Sequence, residues 1–197
     1  MSPFALPPGL YGIVEPTLGD PLEQARMLCD EGAAVVQLRC KGWPAARLLA
    51  LAEACRALPI VVIVNDNASV AAAVGLPVHL GQDDGADPRS PASQAAGGIP
   101  FGRSTHTLEQ AATPGGAAYI GFGPVFGTDS KATPWSARGV ELLARAVCVS
   151  PVPVVAIGGI TVETLPDVRA AGAHGWAVIG AIWRAPDPRA AIRALSS

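Results

Sequence analysis

The sequence predicts a single-domain α/β protein, residues 1–197, folded as a (β/α)8 or TIM barrel. Short apolar runs alternate with helical patterns along the whole chain, and such alternation builds a parallel sheet. Eight strand–helix units follow one another at roughly even spacing, which is the number that closes a barrel. The alternative is an open doubly wound sheet of about five or six strands, if the short runs near Val78 and Ile99 are loops.

Each predicted strand is an apolar run that ends in glycine or in polar residues. In chain order the runs are residues 10–14, 34–38, 60–64, 78–80, 99–103, 117–122, 152–157 and 175–179. The run IVVIV at 60–64 is the clearest case, because a continuous apolar segment is typical of a strand buried on both faces.

The predicted helices follow the strands and end at glycine or before proline. Asp20 or Thr17 begins the first helix, Thr161 is a candidate cap of the helix at 162–171, and a short helix is expected to end at Gly97-Gly98. The other helices are predicted at 43–58, 107–112, 140–149 and 187–195, and a short Ala-rich helix after Asn67 runs to Val74.

Composition excludes several classes of protein. Half of the residues are hydrophobic, 15% are charged and the net charge is −2, so a nucleic-acid surface is not expected. No apolar run reaches the length of a membrane span and no signal peptide is recognisable, so we expect a cytoplasmic protein without membrane contact. The four cysteines form no metal-binding spacing and are expected to be reduced. The oligomeric state, including a homo-oligomer, stays open.

Most residues that follow the predicted strands have charged or polar side chains that can bind a ligand or take part in catalysis. Both lysines of the chain are among them, although only two of its 14 basic residues are lysines. In a barrel the carboxyl ends of the strands meet at one face, where active sites lie. This set comprises Arg39, Lys41, Asn65, Asp66, Gln82, Asp83, Asp84, Ser104, His106, Thr128, Ser130 and Lys131.

Two kinds of anion site are expected at this face. Arg39, Lys41 and Lys131, with hydroxyls from neighbouring strand ends, suit a pyrophosphate. Asp66 and Asp84 come from adjacent strands and suggest Mg²⁺ beside that anion, the alternative being a ring of salt bridges. Gly158-Gly159 and the backbone near Gly180 follow the last two strands, the usual phosphate position of such barrels. No nucleophile stands beside a base, which favours catalysis by stabilisation of a leaving group.

Seven motifs over nearly the whole chain carry a family resemblance: VQLRCK, VNDN, HLGQDD, GRSTHT, YIGFGPVFGTDSK, VVAIGGIT and WAVIGAI. Together they resemble the thiamine phosphate synthase family. The resemblance implies an enzyme that joins 4-amino-5-hydroxymethyl-2-methylpyrimidine diphosphate to thiazole phosphate. It also implies that pyrophosphate leaves first and that the thiazole nitrogen captures the resulting pyrimidine carbocation.

Carried over residue by residue, the resemblance implies a role for each matching position. Gln37 would bind the pyrimidine, and Asp66 and Asp84 would hold Mg²⁺. The pyrophosphate would be held by Arg39, Lys41, Asn65, Ser104 and Lys131. The thiazole phosphate would lie on Gly158, Gly159 and Gly180, with Thr128 and Ser130 facing the thiazole. Ser130 and Gly180 stand where the family usually has Thr and Ser, so Gly180 offers a backbone N–H without a hydroxyl.

A sister family, the TenI-like thiazole tautomerases, is similar in GRSTHT, FGTDSK and ARGV. Its members tend to lose the metal aspartates and carry a His in the segment where this chain has Pro124, so the synthase is favoured. A regulatory barrel that binds ligands of the same pathway is a third alternative. Of the three histidines, His79 is expected to pack between barrel and helix, His174 to lie at the opposite end of the barrel, and His106 to cap a helix or contact substrate.

Overall fold

A computed structural model describes residues 4–81, 98–127 and 136–197. Eight parallel strands close into a barrel, each paired with the next and β8 paired with β1. The strands are β1 Gly9–Val14, β2 Val35–Leu38, β3 Val61–Asn65, β4 Val78–Leu80, β5 Phe101–Thr105, β6 Tyr119–Phe122, β7 Val154–Ile157 and β8 Gly175–Val178. The predicted barrel is therefore confirmed, and the open sheet is excluded because β4 pairs with both β3 and β5.

Helices cover the outside of the barrel. Those in the described residues are α1 Pro21–Asp30, α2 Ala45–Arg56, α3 Ala68–Val74, α4 Leu108–Ala112, α5 Val140–Val149, α6 Leu165–Ala170, α7 Gly180–Trp183 and α8 Pro188–Ser196. Asp20 caps α1 by accepting from two backbone N–H groups, and Thr107 and Gln110 form a capping box on α4. None of these helices is both long and apolar enough to cross a membrane.

Several boundaries differ from the prediction, and three of them concern the site. The helix after β7 begins at Leu165 and not at Val162, because the Thr161 N–H donates to the Thr164 hydroxyl at 2.9 Å and forms a turn there. Ser104 and Asn65 belong to the last residues of β5 and β3, and do not follow those strands. The short helix α7 was not predicted, and the helix expected to end at Gly97-Gly98 lies almost wholly outside the described residues.

The apolar side chains form two cores separated by the sheet. The larger core lies between the strands and the helices and includes Leu28, Leu80 and Leu143. The smaller core lies inside the barrel and contains Ile13, Ile63 and Val155 together with two tyrosines. Because side chains of a strand alternate between its faces, the same alternation that fills the inner core carries polar side chains toward its upper end.

Candidate active site

A cavity of about 370 Å³ occupies the barrel at the carboxyl ends of the strands. Every strand contributes at least one residue to its wall, as expected for the catalytic face of this fold. Seven of the predicted site residues line it, namely Gln37, Arg39, Asn65, Ser104, Gly158, Gly159 and Gly180. Lys41 is exposed after β2 and does not belong to the lining, nor does the half-buried Asp66. The predicted residues Asp84, Thr128, Ser130 and Lys131 lie outside the described part of the chain.

Arg39 forms an ion pair with Glu15 at the end of β1. The two side chains are only 13% and 15% exposed, so this pair is better shielded from solvent than a surface salt bridge. Buried Gln24 holds Glu15 in place, because its amide oxygen accepts from the Glu15 backbone N–H at 2.9 Å. The ion pair fixes the direction of the Arg39 guanidinium at the edge of the cavity.

A continuous path of hydrogen bonds crosses the floor of the cavity. The Gln37 side-chain amide donates to the Tyr11 hydroxyl at 2.9 Å, and the Tyr11 and Tyr119 hydroxyls lie 2.9 Å apart. His79 joins the path at both ring nitrogens, with Nδ1 2.9 Å from the Tyr119 hydroxyl and Nε2 3.1 Å from the Ser104 hydroxyl. The expectation that His79 packs between barrel and helix is wrong, since it lines the cavity.

The two tyrosines are almost completely buried, at 2% and 1% exposure. Burial raises the pKa of both the Tyr11 and Tyr119 hydroxyls, so both phenols stay protonated at neutral pH. Gly102 on β5 provides the space, because a Cβ at that position would overlap the Tyr119 ring. The glycine and the ring therefore fit together across the β5–β6 pair.

The side of the cavity formed by β7 and β8 combines aliphatic side chains with three glycines, Gly158, Gly159 and Gly180. Gly158 and Gly159 have φ of 101° and 64°, which L side chains rarely adopt. A Cβ on Gly158 would lie 2.6 Å from Pro124 Cβ, so the loop after β6 packs directly on the turn. The Phe126 N–H donates to the Gly158 carbonyl at 3.0 Å and secures this packing.

Two further groups lie at this face, of which His106 was among the strand-end residues expected there. Arg184, one residue beyond α7, lines the cavity next to Gly180 and is exposed to solvent. The His106 ring nitrogen Nδ1 donates to the Gly123 carbonyl at 2.5 Å, which ties β5 to the loop after β6 and places the proton of the neutral ring on Nδ1. Pro124 lines the cavity without a titratable group.

Asp66 has a left-handed backbone, with φ of 63°. Among the described residues it is the only non-glycine residue with a positive φ. Its N–H donates to the His79 carbonyl at 2.9 Å, which holds the residue at the junction of β3 and β4. Strained backbone of this kind is concentrated at functional sites. Among the residues that the structure describes, no three His, Cys, Asp or Glu side chains cluster as metal ligands.

Sequence reasoning missed Tyr11, Tyr119, Glu15 and Arg184 at this site. Tyr11 and Tyr119 lie within apolar runs, and the only available signal was that each run carries one hydroxyl among aliphatic side chains. Arg184 is four residues after Gly180 in the sequence. The two residues lie at the same cavity because the helix that begins at Gly180 places residues four apart on one face.

The family model, the curated relatives and the solved structure of a relative indicate the same family. The model of the family described as thiamine monophosphate synthase matches residues 10–182. The thiamine-phosphate synthase of Anaeromyxobacter dehalogenans is 44% identical over 93% of this chain and 84% of its own length. That of Methanospirillum hungatei is 41% identical over 94% of both chains. The structure of thiamine phosphate pyrophosphorylase from Pyrococcus furiosus superposes with a TM-score of 0.80 at 33% identity, covering 95% of this chain and 93% of the other.

Proposed function

Because the chain belongs to the thiamine monophosphate synthase family, we propose that it couples 4-amino-5-hydroxymethyl-2-methylpyrimidine diphosphate with thiazole phosphate to give thiamine phosphate and pyrophosphate. Because its relatives are thiamine-phosphate synthases, the chain is a transferase of thiamine biosynthesis. The observation that carries the substrate assignment is the two-sided cavity. Charged and amide groups line the side of β2, β3 and β5, and glycines, aliphatic side chains and Arg184 line the side of β7 and β8.

The first side suits the pyrimidine and its pyrophosphate. Gln37 presents an amide to the cavity from inside the barrel, and Asn65, Ser104 and Arg39 stand above it at the strand ends. In the proposed reaction the bond between the pyrimidine methylene carbon and the pyrophosphate oxygen breaks, and its electron pair leaves with the pyrophosphate. Hydrogen-bond donors and cations aimed at that oxygen stabilise the charge as it develops. Lys41 and Lys131 are proposed to complete this set.

The second side suits the thiazole phosphate. The Gly158-Gly159 turn and Gly180 bring backbone to the cavity wall where no side chain intervenes, and Arg184 adds a positive charge beside them. Thr128 and Ser130 are proposed to face the thiazole from the following loop. Binding here places the thiazole nitrogen so that its lone pair forms the new bond to the methylene carbon.

Magnesium is the proposed metal, held by Asp66 and Asp84. The chemistry of both residues suits this metal, because carboxylate oxygens are the ligands that Mg²⁺ prefers. Asp66 directly follows β3. The neighbouring strand β4 precedes, in the sequence, the segment that contains Asp84. When bound, Mg²⁺ would neutralise negative charge on the departing pyrophosphate. Cytoplasmic location remains a proposal that accords with this biosynthetic activity.

One assay tests the proposed function. Purified protein receives both substrates with and without Mg²⁺, and thiamine phosphate, pyrophosphate and the thiazole isomers are separated and measured. We expect Mg²⁺-dependent formation of thiamine phosphate and pyrophosphate in equal amounts, with no acceleration of thiazole tautomerisation. Tautomerisation without coupling would support the tautomerase and refute the synthase. Binding of both ligands with neither reaction would support the regulatory barrel.

A further inference from the structure

The ion pair between Glu15 and Arg39 connects the end of β1 to the wall of the cavity. Arg39 belongs to the lining of the cavity, whereas Glu15 does not. The Arg39 nitrogen Nη1 donates to the Glu15 carboxylate. Because a guanidinium has five N–H donors in one rigid plane, a carboxylate that holds one nitrogen sets the direction of the others. Glu15 thus decides how Arg39 faces a ligand in the cavity.

The backbone of Glu15 is itself held by three hydrogen bonds. Its N–H donates to the Gln24 side-chain oxygen at 2.9 Å, and its carbonyl accepts from the Gln24 amide at 3.3 Å and from the Leu18 N–H at 2.9 Å. Gln24 is 4% exposed and packs closely on Gly19, where a Cβ would lie only 3.1 Å from the amide nitrogen. The Glu15 carboxylate therefore extends from a fixed point of the chain, as a residue that orients another side chain must do.

The other arginine of the cavity wall differs from Arg39 in this respect. Among the residues that the structure describes, Arg184 is exposed and forms no ion pair, whereas the Arg39 side chain is 13% exposed and paired. An exposed arginine keeps its rotamer freedom until an anion binds and then loses it. Arg39 has lost this freedom before any substrate arrives, so the direction of its charge is set before the reaction begins.

We propose that Glu15 is a positioning residue of the reaction, which aims the Arg39 guanidinium at the oxygen that leaves with the pyrophosphate. The identity of that oxygen rests on the proposed function. As the carbon–oxygen bond breaks, its electron pair stays on this oxygen, and a donor with a fixed direction stabilises the charge without first rearranging. A carboxylate beside an anion site weakens the attraction of that site for the anion, so the pair is poorly suited to binding alone. Glu15 therefore contributes to turnover more than to affinity.

The first test uses the substrate-free protein and does not depend on its activity. Nitrogen-15 NMR measures how fast each guanidinium rotates about its Cζ–Nε bond, and Arg39→Lys and Arg184→Lys assign the two signals. We expect Arg39 to rotate about tenfold more slowly than Arg184, the effect of one charge-assisted hydrogen bond, and Glu15→Gln to remove the difference. Equal rates for the two arginines in the parent, or an Arg39 rate that Glu15→Gln leaves unchanged, would overturn the proposal.

The second test measures turnover. Glu15→Gln keeps the size of the side chain and removes its charge, so kcat should fall about tenfold while KM for the pyrimidine diphosphate changes much less. Glu31→Gln is the matched control, because Glu31 is also 13% exposed and paired with arginines, Arg189 and Arg193, but does not belong to the cavity wall. This control should have the kcat of the parent. A raised KM at unchanged kcat in Glu15→Gln would show that the ion pair serves binding and would contradict the proposal.

A double-mutant cycle measures whether Glu15 acts through Arg39. In the Arg39→Ala background there is no guanidinium to aim, so Glu15→Gln should not lower kcat further. Single-turnover assays with excess enzyme follow these slow reactions. An equal loss of kcat in both backgrounds would show that Glu15 does not act through Arg39. An inactive parent would refute the proposed function and this proposal with it, whereas an active parent with a fully active Glu15→Gln variant would refute this proposal alone.

Discussion

Arg184 adds a positive charge to the side of the cavity that Gly158, Gly159, Gly180 and aliphatic side chains form. It follows α7, and its N–H donates to the Gly180 carbonyl, so the two residues stay together at the cavity wall. In the proposed phosphate site, Gly180 contributes a backbone N–H and no side-chain hydroxyl. An exposed guanidinium beside it supplies the attraction that a neutral donor lacks, and its planar fork suits a phosphate.

We therefore expect Arg184→Ala to raise KM for thiazole phosphate about tenfold, the effect of losing one charge-assisted hydrogen bond. KM for the pyrimidine substrate and kcat should change much less, because the contact serves binding and not bond cleavage. Arg145→Ala, which removes another exposed arginine from α5, is the matched control. Equal KM values for Arg184→Ala and Arg145→Ala would remove Arg184 from the phosphate site. The measurement is steady-state kinetics with each substrate varied in turn.

Asp66→Asn tests the proposed metal ligand at unchanged backbone geometry. Asn adopts a left-handed conformation as readily as Asp, so the φ of 63° costs the variant little and the lost charge dominates. The Mg²⁺ concentration for half-maximal activity should rise roughly tenfold or more. Asp167→Asn on the exposed surface of α6 is the control, and a parent-like Mg²⁺ titration of Asp66→Asn would assign Asp66 a structural role.

At the scale of elements, the turn after β7 depends on glycine for two reasons that can be separated. Gly159 has a φ of 64°, and a Cβ there would overlap the backbone of Gly127 and the Phe126 side chain. Gly75, which ends α3, has nearly the same φ of 68° but has open space where its Cβ would lie. Alanine substitution at these two positions therefore separates the energetic cost of steric overlap from the cost of backbone strain.

We expect Gly75→Ala to lower the free energy of unfolding by about 1 kcal/mol with activity retained. Gly159→Ala should lower it by about 2 kcal/mol or more and reduce kcat/KM, because the turn must move away from the loop after β6. Urea unfolding and kinetics measure both effects. Equal destabilisation of the two variants would show that the loop adjusts to a side chain at 159.

At the scale of the whole molecule, burial of titratable groups makes the fold sensitive to alkaline pH. Burial raises the pKa of the Cys40 thiol to about 12 and that of the Cys55 thiol to about 11, both from an ordinary value of 9.0. Between pH 9 and these values the unfolded chain loses protons that the folded chain keeps. The folded state then binds more protons than the unfolded state, so the free energy of unfolding decreases as pH rises.

Stability measured by urea unfolding should thus fall above about pH 8.5, Cys55 alone contributing a loss on the order of 1–2 kcal/mol near pH 10.5. Cys55→Ala should reduce this fall, whereas Cys148→Ala, which changes an exposed cysteine, should leave it as in the parent. A stability that does not vary between pH 8.5 and 10.5 would contradict the prediction.

The amino-acid sequence by itself determined the barrel and the position of much of its site. Apolar runs, cap residues such as Asp20 and strand-end glycines are local signals, and parallel strands bring their carboxyl ends to one face whatever the details of packing. For this reason Arg39, Asn65 and Ser104 could be assigned to one cavity before any contact was known, and the family resemblance added Gln37. The family could also be identified from the sequence, because each motif that carries the resemblance is a continuous run of residues.

Only the tertiary structure decided which side chains form the cavity floor and how they are connected. Strands buried on both faces are apolar throughout, so their sequence does not reveal which residues point inward. The Tyr11 and Tyr119 hydroxyls are hydrogen-bonded although the two residues are 108 positions apart in the sequence. Arg39 forms its ion pair with Glu15, which is 24 positions away. Such pairs are set by strand register and barrel closure, which join β1 to β8 and β5 to β6, and no local spacing encodes them.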